Sequence, residues 1–215
     1  MTLQFLNSDN AYIFRITHRD NLAGILEHGL HARSSGILDP NFRKIGDFDL
    51  IDKRPGRCVP VGPGGTLSDY IPFYFTPLSM MAYNIHTAFR GIEHVSNADL
   101  VILFTSLHRL SELKTPFVFT DGHAYSATTQ YFTDLADLRA IHWRILQERD
   151  FKHDPDDPAK TVLYQAEALI WKHLPVESLL GICTCTPEAH QEIENELTRR
   201  GLRVKAYAKE GWYFQ

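Results

Sequence analysis

Along the chain, short apolar runs alternate with turn residues, and helical spacing is confined to a few stretches. Residues 12–16 (YIFRI) carry aromatic and β-branched side chains in near alternation and predict a first strand. Thr17 then stands where a helix N-cap is expected, with Asp20 three residues on completing a capping box. Leu22, Ile25 and Leu26 mark one helical face, and Gly29 supplies the stop. Residues 32–56 are polar without sustained periodicity and predict a long loop of the kind that carries function or moves. Next comes a Pro/Gly turn (Val61-Gly62-Pro63-Gly64-Gly65), in which Gly64 and Gly65 permit positive φ, and then an aromatic strand at 71–76. Pro60, Pro63 and Pro72 bar a helix there.

Strands follow at 99–106 (DLVILFTS) and 117–120, then a helix over 130–147 and an acidic, Pro-rich turn over 152–160. Strands at 164–171 and 179–184 precede a helix over 187–200, with Pro187 in its first turn and Gly201 as its stop. Residues 202–208 and 212–214 supply closing strand material. Many short strands with few helices indicate an α+β fold. No repeat or interdomain linker interrupts it, so residues 1–215 are expected to form a single domain.

Composition narrows this picture. With 215 residues, 44% of them hydrophobic, the chain can bury one sizeable core. No apolar run approaches the roughly 18 residues of a membrane span, and MTLQFLNSDN lacks the basic-then-apolar pattern of a secretion signal. Cys183 and Cys185 would point to opposite faces of a strand, so the three cysteines suggest no disulfide framework, and a reduced, cytoplasmic protein is expected. A net charge of −4 argues against a protein that coats nucleic acid. Arg33, Arg43, Lys44, Lys53, Arg54 and Arg57 nevertheless crowd one segment, either as a solvated loop or as a groove tracking a short phosphate backbone.

HExxH, CxxC and HxH spacings are all absent, and His28 and His31 straddle the helix stop, so no metal is expected. A GxGxxG turn is absent too, which argues against a doubly wound dinucleotide fold. Glu167 is a lone carboxylate in the mostly apolar run QAEALI; it is either an exposed strand glutamate or one paired or opened to a cleft for a purpose. Arg54, in IDKRPGR, offers the bidentate fork suited to phosphates. Tyr74 alternates with Phe73 and Phe75, so it faces away from their packing.

Four segments carry a more specific signal in a fixed order: YIFRITHRDNLAGILEHGL (12–30), RCVPVGPGGTLSDYIPFYFTPLSMMAYNI (57–85), TPFVFTDGHA (115–124) and YQAEALIWKHLP (164–175). Together they resemble the DarT family, toxins that ADP-ribosylate single-stranded DNA from NAD. The resemblance implies an ADP-ribosyltransferase-like fold with a split central β-sheet and an NAD-binding cleft. It makes Glu167 and Arg54 catalytic: the glutamate stabilises an oxocarbenium-like transition state as nicotinamide leaves, and the arginine orients and polarises the thymine near N3. NAD, as co-substrate, would be held by Arg15, Ile16, Thr17, Gly24, His31 and Arg54, with residues 37–57 folding over it. The family pattern has histidine where this chain has Arg15. Substrate DNA would meet Tyr74, His123, Met81 and Lys160, although Thr161 takes the position where the family places a basic residue. The implied partners are single-stranded DNA and a macrodomain antitoxin of the DarG type, and a monomer is expected in the absence of heptads. Two other readings are an ADP-ribosyltransferase acting on RNA or protein, and an inactive single-strand-binding module. Against the latter stands the joint presence of Glu167 and Arg54.

Overall fold

The computed structural model describes residues 3–37 and 39–215. The first half supplies β1 (Tyr12–His18), α1 (Leu22–His28), β2 (Leu30–His31), α2 (Phe48–Lys53), β3 (Tyr70–Tyr74), α3 (Met80–Thr87), β4 (Leu100–Ser106) and α4 (Leu107–Glu112). The second half supplies β5 (Phe117–Thr120), β6 (Tyr131–Phe132), α5 (Trp143–Glu148), α6 (Lys160–Leu163), β7 (Glu167–Trp171), β8 (His173–Leu174), β9 (Gly181–Thr184), α7 (Pro187–Arg199) and β10 (Lys205–Ala208). Eight strands join in the order β10-β9-β4-β1-β3-β7-β5-β6, and β2 pairs with β8 in a separate small ribbon.

The large sheet is nearly two sheets. β1 pairs with β4 from Tyr12↔Ser106 to His18↔Leu100, and β3 pairs with β7 from Tyr70↔Trp171 to Tyr74↔Glu167. Between β1 and β3 a single register pair holds, Phe14↔Tyr74. Pro72 explains part of this gap. Its carbonyl accepts a bond from Arg15 Nη1 at 2.8 Å, so the strand edge that lacks an N–H faces β1, and the ladder cannot continue there. A split central sheet is therefore present, and the split lies beside Arg15.

Two apolar clusters pack against the sheet. The larger contains Ile13, Phe14, Phe73, Phe75, Leu103, Phe119 and Ile182, each at most 2% exposed. Burying each aromatic ring contributes about 1.5–3 kcal/mol. A smaller cluster of Val59, Leu67, Tyr70, Val118, Ala124 and Leu169 is flanked by Tyr131 and Trp171, and it anchors the loops around β5 and β7.

Several elements differ from the sequence expectation. Thr17 is not an N-cap: it continues β1 opposite Val101, and the His18 ring nitrogen accepts the Asp20 N–H instead. Pairing along the full length of β4 outweighs the local capping signal. Residues 32–56 hold α2, capped by Asp47 through Leu50 N–H at 3.0 Å, and two 3₁₀ turns. The helix expected over 130–147 is instead β6, a 3₁₀ segment (Leu135–Ala140) and the short α5. Phe132, Leu135, Leu138 and Ile141 recur every three residues, a 3₁₀ period that a coarse reading takes for α-helix. The strand expected over 164–171 begins at Glu167, after α6 and a turn. Gly29 (φ 76°) and Gly201 (φ 66°) do end their helices at positive φ.

Candidate active site

Glu167 is the first residue of β7 and is 1% exposed. Its N–H donates to Thr120 Oγ1 at 3.1 Å, and the same hydroxyl donates to Gly122 O at 2.7 Å. Carboxylate oxygen Oε1 accepts the Ala124 N–H at 2.9 Å, while Oε2 lies 3.3 Å from Arg54 Nη1. The segment 120–124 thus wraps the glutamate from both ends. Gly122 makes the wrap possible, because a Cβ there would fall 3.0 Å from the Val162 side chain and 3.1 Å from its carbonyl.

Arg54 opens the 3₁₀ turn that follows α2, and Arg33 fixes that helix by donating to Ile51 O at 3.2 Å and Asp52 Oδ1 at 2.8 Å. Arg15 reaches the same region from β1. Burial, and then the neighbouring Arg54 charge, pull its guanidinium down to about 10. Tyr74, opposite Glu167 on β3, is a phenol pushed up by burial and then by the Glu167 charge. Arg57 joins from the adjoining turn, donating to Ser126 O at 2.7 Å. Arg15 Nε, Arg54 Nη2 and Arg57 Nε are buried with no hydrogen-bond partner among the described residues. Buried guanidinium donors left unpaired are costly unless an anion meets them. The cluster accordingly suits a ligand rich in phosphate oxygens, set beside a fixed carboxylate.

The structure thus brings Arg15, Arg54, Tyr74 and Glu167 together, with Arg57 added. The other candidates lie in different surroundings. Ile16 packs in the core opposite Ile102, and Thr17 Oγ1 accepts Asn21 Nδ2 at 2.9 Å. Gly24 gives close approach to Asp39, whose Oδ2 would lie 2.6 Å from a Cβ at that position. His31 stacks on His173 with ring centroids 4.3 Å apart, and burial lowers its pKa. Met81 sits on α3 beneath Gly46. His123 turns its ring back to accept the Tyr125 N–H at 3.2 Å, while its neighbour Ala124 reaches Glu167. Lys160 is engaged by Asp150 at 3.0 Å and Asp154 at 3.5 Å, which raise its pKa. Sequence reasoning missed Thr120 and Ala124 as holders of the glutamate. Both lie in the TDGHA segment, but Ala124 acts through its main-chain N–H, which leaves no side-chain signal to read.

A buried glutamate at the start of β7 thus stands beside a cluster of guanidinium groups that keep unpaired buried donors among the described residues. Residues 14–214 match the family model described as ssDNA thymidine ADP-ribosyltransferase, DarT, and the chain belongs to that family. A DNA ADP-ribosyl transferase of Escherichia coli O127:H6 is 49% identical over 209 residues, covering 97% of this chain and 96% of the relative. Thermus sp. 2.9 DarT superposes with a TM-score of 0.87 at 29% identity in its complex with ADP-ribosylated ssDNA, over 96% of this chain and 97% of that one. Its complex with NAD+ gives 0.83 at 30% identity, over 96% and 98% of the two chains. A DNA ADP-ribosyl transferase–DNA ADP-ribosyl glycohydrolase fusion of Thermosipho africanus is 23% identical, and the alignment covers 89% of this chain and 47% of the fusion.

Among the described residues, no helix is long and apolar enough to cross a membrane, and no group of three or more side chains is placed to hold a metal ion.

Proposed function

We propose that this chain transfers ADP-ribose from NAD to a thymidine base of single-stranded DNA, with Glu167 and Arg54 as catalytic residues. The observation that carries the assignment of roles is the pairing of a fully held, buried carboxylate with three guanidinium groups that each keep one unpaired buried donor. Arg15 and Arg54 receive the diphosphate, whose charge relieves their mutual repulsion. Glu167 lies where positive charge develops on the ribose carbon as its bond to nicotinamide breaks, and its fixed negative charge stabilises that charge without reorganisation. Tyr74 offers an aromatic face beside Glu167 for stacking on nicotinamide or the incoming base. Arg54 orients and polarises the base so that its N3 bonds to the ribose carbon from the open side as the bond to nicotinamide breaks, the N3 proton passing to solvent. An unpaired strand presents that base without the cost of extruding it from a duplex. A macrodomain glycohydrolase that removes the mark is the expected partner, a reading supported by the fusion relative.

The test uses purified protein, labelled NAD and thymidine-containing single-stranded oligonucleotides, with Glu167→Gln alongside. Label should pass to the oligonucleotide with the wild type and fall by about 10²–10³-fold in the variant, the scale of removing one preorganised electrostatic partner. Label on RNA or protein but not on DNA would overturn the acceptor. Undiminished transfer by Glu167→Gln would overturn the catalytic assignment.

A further inference from the structure

The carboxylate of Glu167 is aimed by a main-chain donor, Ala124 N–H, and that donor is itself held from outside the site. The peptide containing this N–H has the His123 carbonyl at its other end, which accepts Thr129 Oγ1 at 2.8 Å. The next peptide carries the Ala124 carbonyl, which accepts the Tyr131 hydroxyl. Tyr131 opens β6 and Thr129 lies two residues before it, and their two hydroxyls meet the carbonyls on either side of Ala124. Between them, Gln130 closes the segment, its N–H donating to Asp121 Oδ1 at 2.9 Å and its carbonyl accepting Asp121 N–H at 3.4 Å. Across the sheet Tyr131 sits opposite Thr120, which binds the Glu167 N–H. The Tyr131 ring rests against the cluster that contains the fully buried Ala124, and burial pushes its phenol up, keeping it a donor at neutral pH.

We propose that Thr129 and Tyr131 are positioning residues for Glu167, acting through the two peptides that flank Ala124. Fixing both carbonyls sets the planes on either side of the Ala124 Cα, and so the direction of its N–H. The bond at His123 O also polarises the peptide and makes that N–H a stronger donor. Neither side chain touches the reacting atoms. This inference rests on the proposed role of Glu167.

Thr129→Val and Tyr131→Phe each delete a hydroxyl while keeping the shape of the side chain. Each is expected to lower kcat by about fivefold, and the pair by about twentyfold or more, the reach of a displaced catalytic donor. KM for NAD should stay within about twofold, and Thr129→Ser should restore the rate. Hydrogen exchange at the Ala124 amide should quicken in both variants while melting temperatures stay close to wild type. Rates within twofold of wild type for the double variant would overturn the proposal, as would a rate loss with unchanged exchange at Ala124. With Glu167→Gln assayed in parallel, an inactive glutamine variant beside silent hydroxyl deletions refutes the positioning role alone. An active glutamine variant refutes the role of Glu167, and the positioning proposal with it.

Discussion

Arg15 shows how a single residue trades stability for a site. Half-buried on β1, it donates to Pro72 O, keeps a buried Nε without a partner among the described residues and faces the Arg54 charge. Its folded-state pKa of about 10 lies below the ordinary arginine value, so folding disfavours its charged form. The penalty is present throughout the neutral range and is relieved only as pH rises through the folded value, or when an anion binds. Arg15→Met should therefore raise the melting temperature of the ligand-free protein at pH 7 while weakening NAD binding by tenfold or more, about 1.4 kcal/mol. Calorimetry with and without NAD checks both; a lower ligand-free melting temperature would contradict the burial argument. Thr120 behaves oppositely. Its buried hydroxyl serves Glu167 N–H and Gly122 O at once, so Thr120→Val should cost about 2 kcal/mol, or roughly 4–8 °C in Tm for a chain of this length.

Among elements, the junction of β3, β7 and the turn Arg33–Ser35 depends on Asp69. Its carboxylate accepts from Lys172 Nζ, from Ser34 Oγ at 2.6 Å and from Thr66 N–H at 2.8 Å, and these bonds hold its pKa well below the usual carboxylate range. Because the folded value is depressed, the stabilisation is complete above the unfolded pKa of about 4 and is lost as pH falls from there through the folded value. Asp69→Asn should destabilise the protein by about 2 kcal/mol at pH 7 and flatten the acid limb of its stability profile. Denaturant titrations from pH 7 down to 3 would show this, and parallel curves for variant and wild type would count against it. Arg33 extends the same junction to α2 and hence to Arg54, so the turn that bears Arg54 is anchored at its base. At the end of α1, Gly29 takes φ 76°, and a Cβ there would fall 2.6 Å from Leu174 O. Gly29→Ala is expected to cost about 1–3 kcal/mol and to loosen the β2–β8 ribbon, which a melting curve would register.

For the whole molecule, the net charge of −4 and the arginine cluster belong together. A net negative charge disfavours indiscriminate binding of DNA, and the guanidinium cluster is the proposed seat for the phosphates of both ligands. Binding that completes the unpaired donors should stabilise the fold. NAD at about 100 times its dissociation constant contributes about 2.7 kcal/mol, or a rise of roughly 5–10 °C in Tm. Arg54→Lys, which loses the fork that spans glutamate and ligand, should forfeit most of that rise; an undiminished rise would exclude Arg54 from the binding site.

The amino-acid sequence determines much of this protein by itself. Local pattern is enough to place β1, β4, β5, β9, α7 and the glycine stops, and the QAE and TDGHA segments point to Glu167 and its neighbourhood. Tertiary structure alone decides what those residues meet. Thr17 joins a strand because β4 runs alongside it and sets Val101 opposite, a partner more than eighty residues away in the chain that no local window contains. The split beside Arg15 depends on which edge of β3 the proline turns toward β1, a matter of register. Ala124 enters the site through its backbone N–H, a group every residue except proline carries. Its significance is set by where the chain folds and not by which side chain it bears.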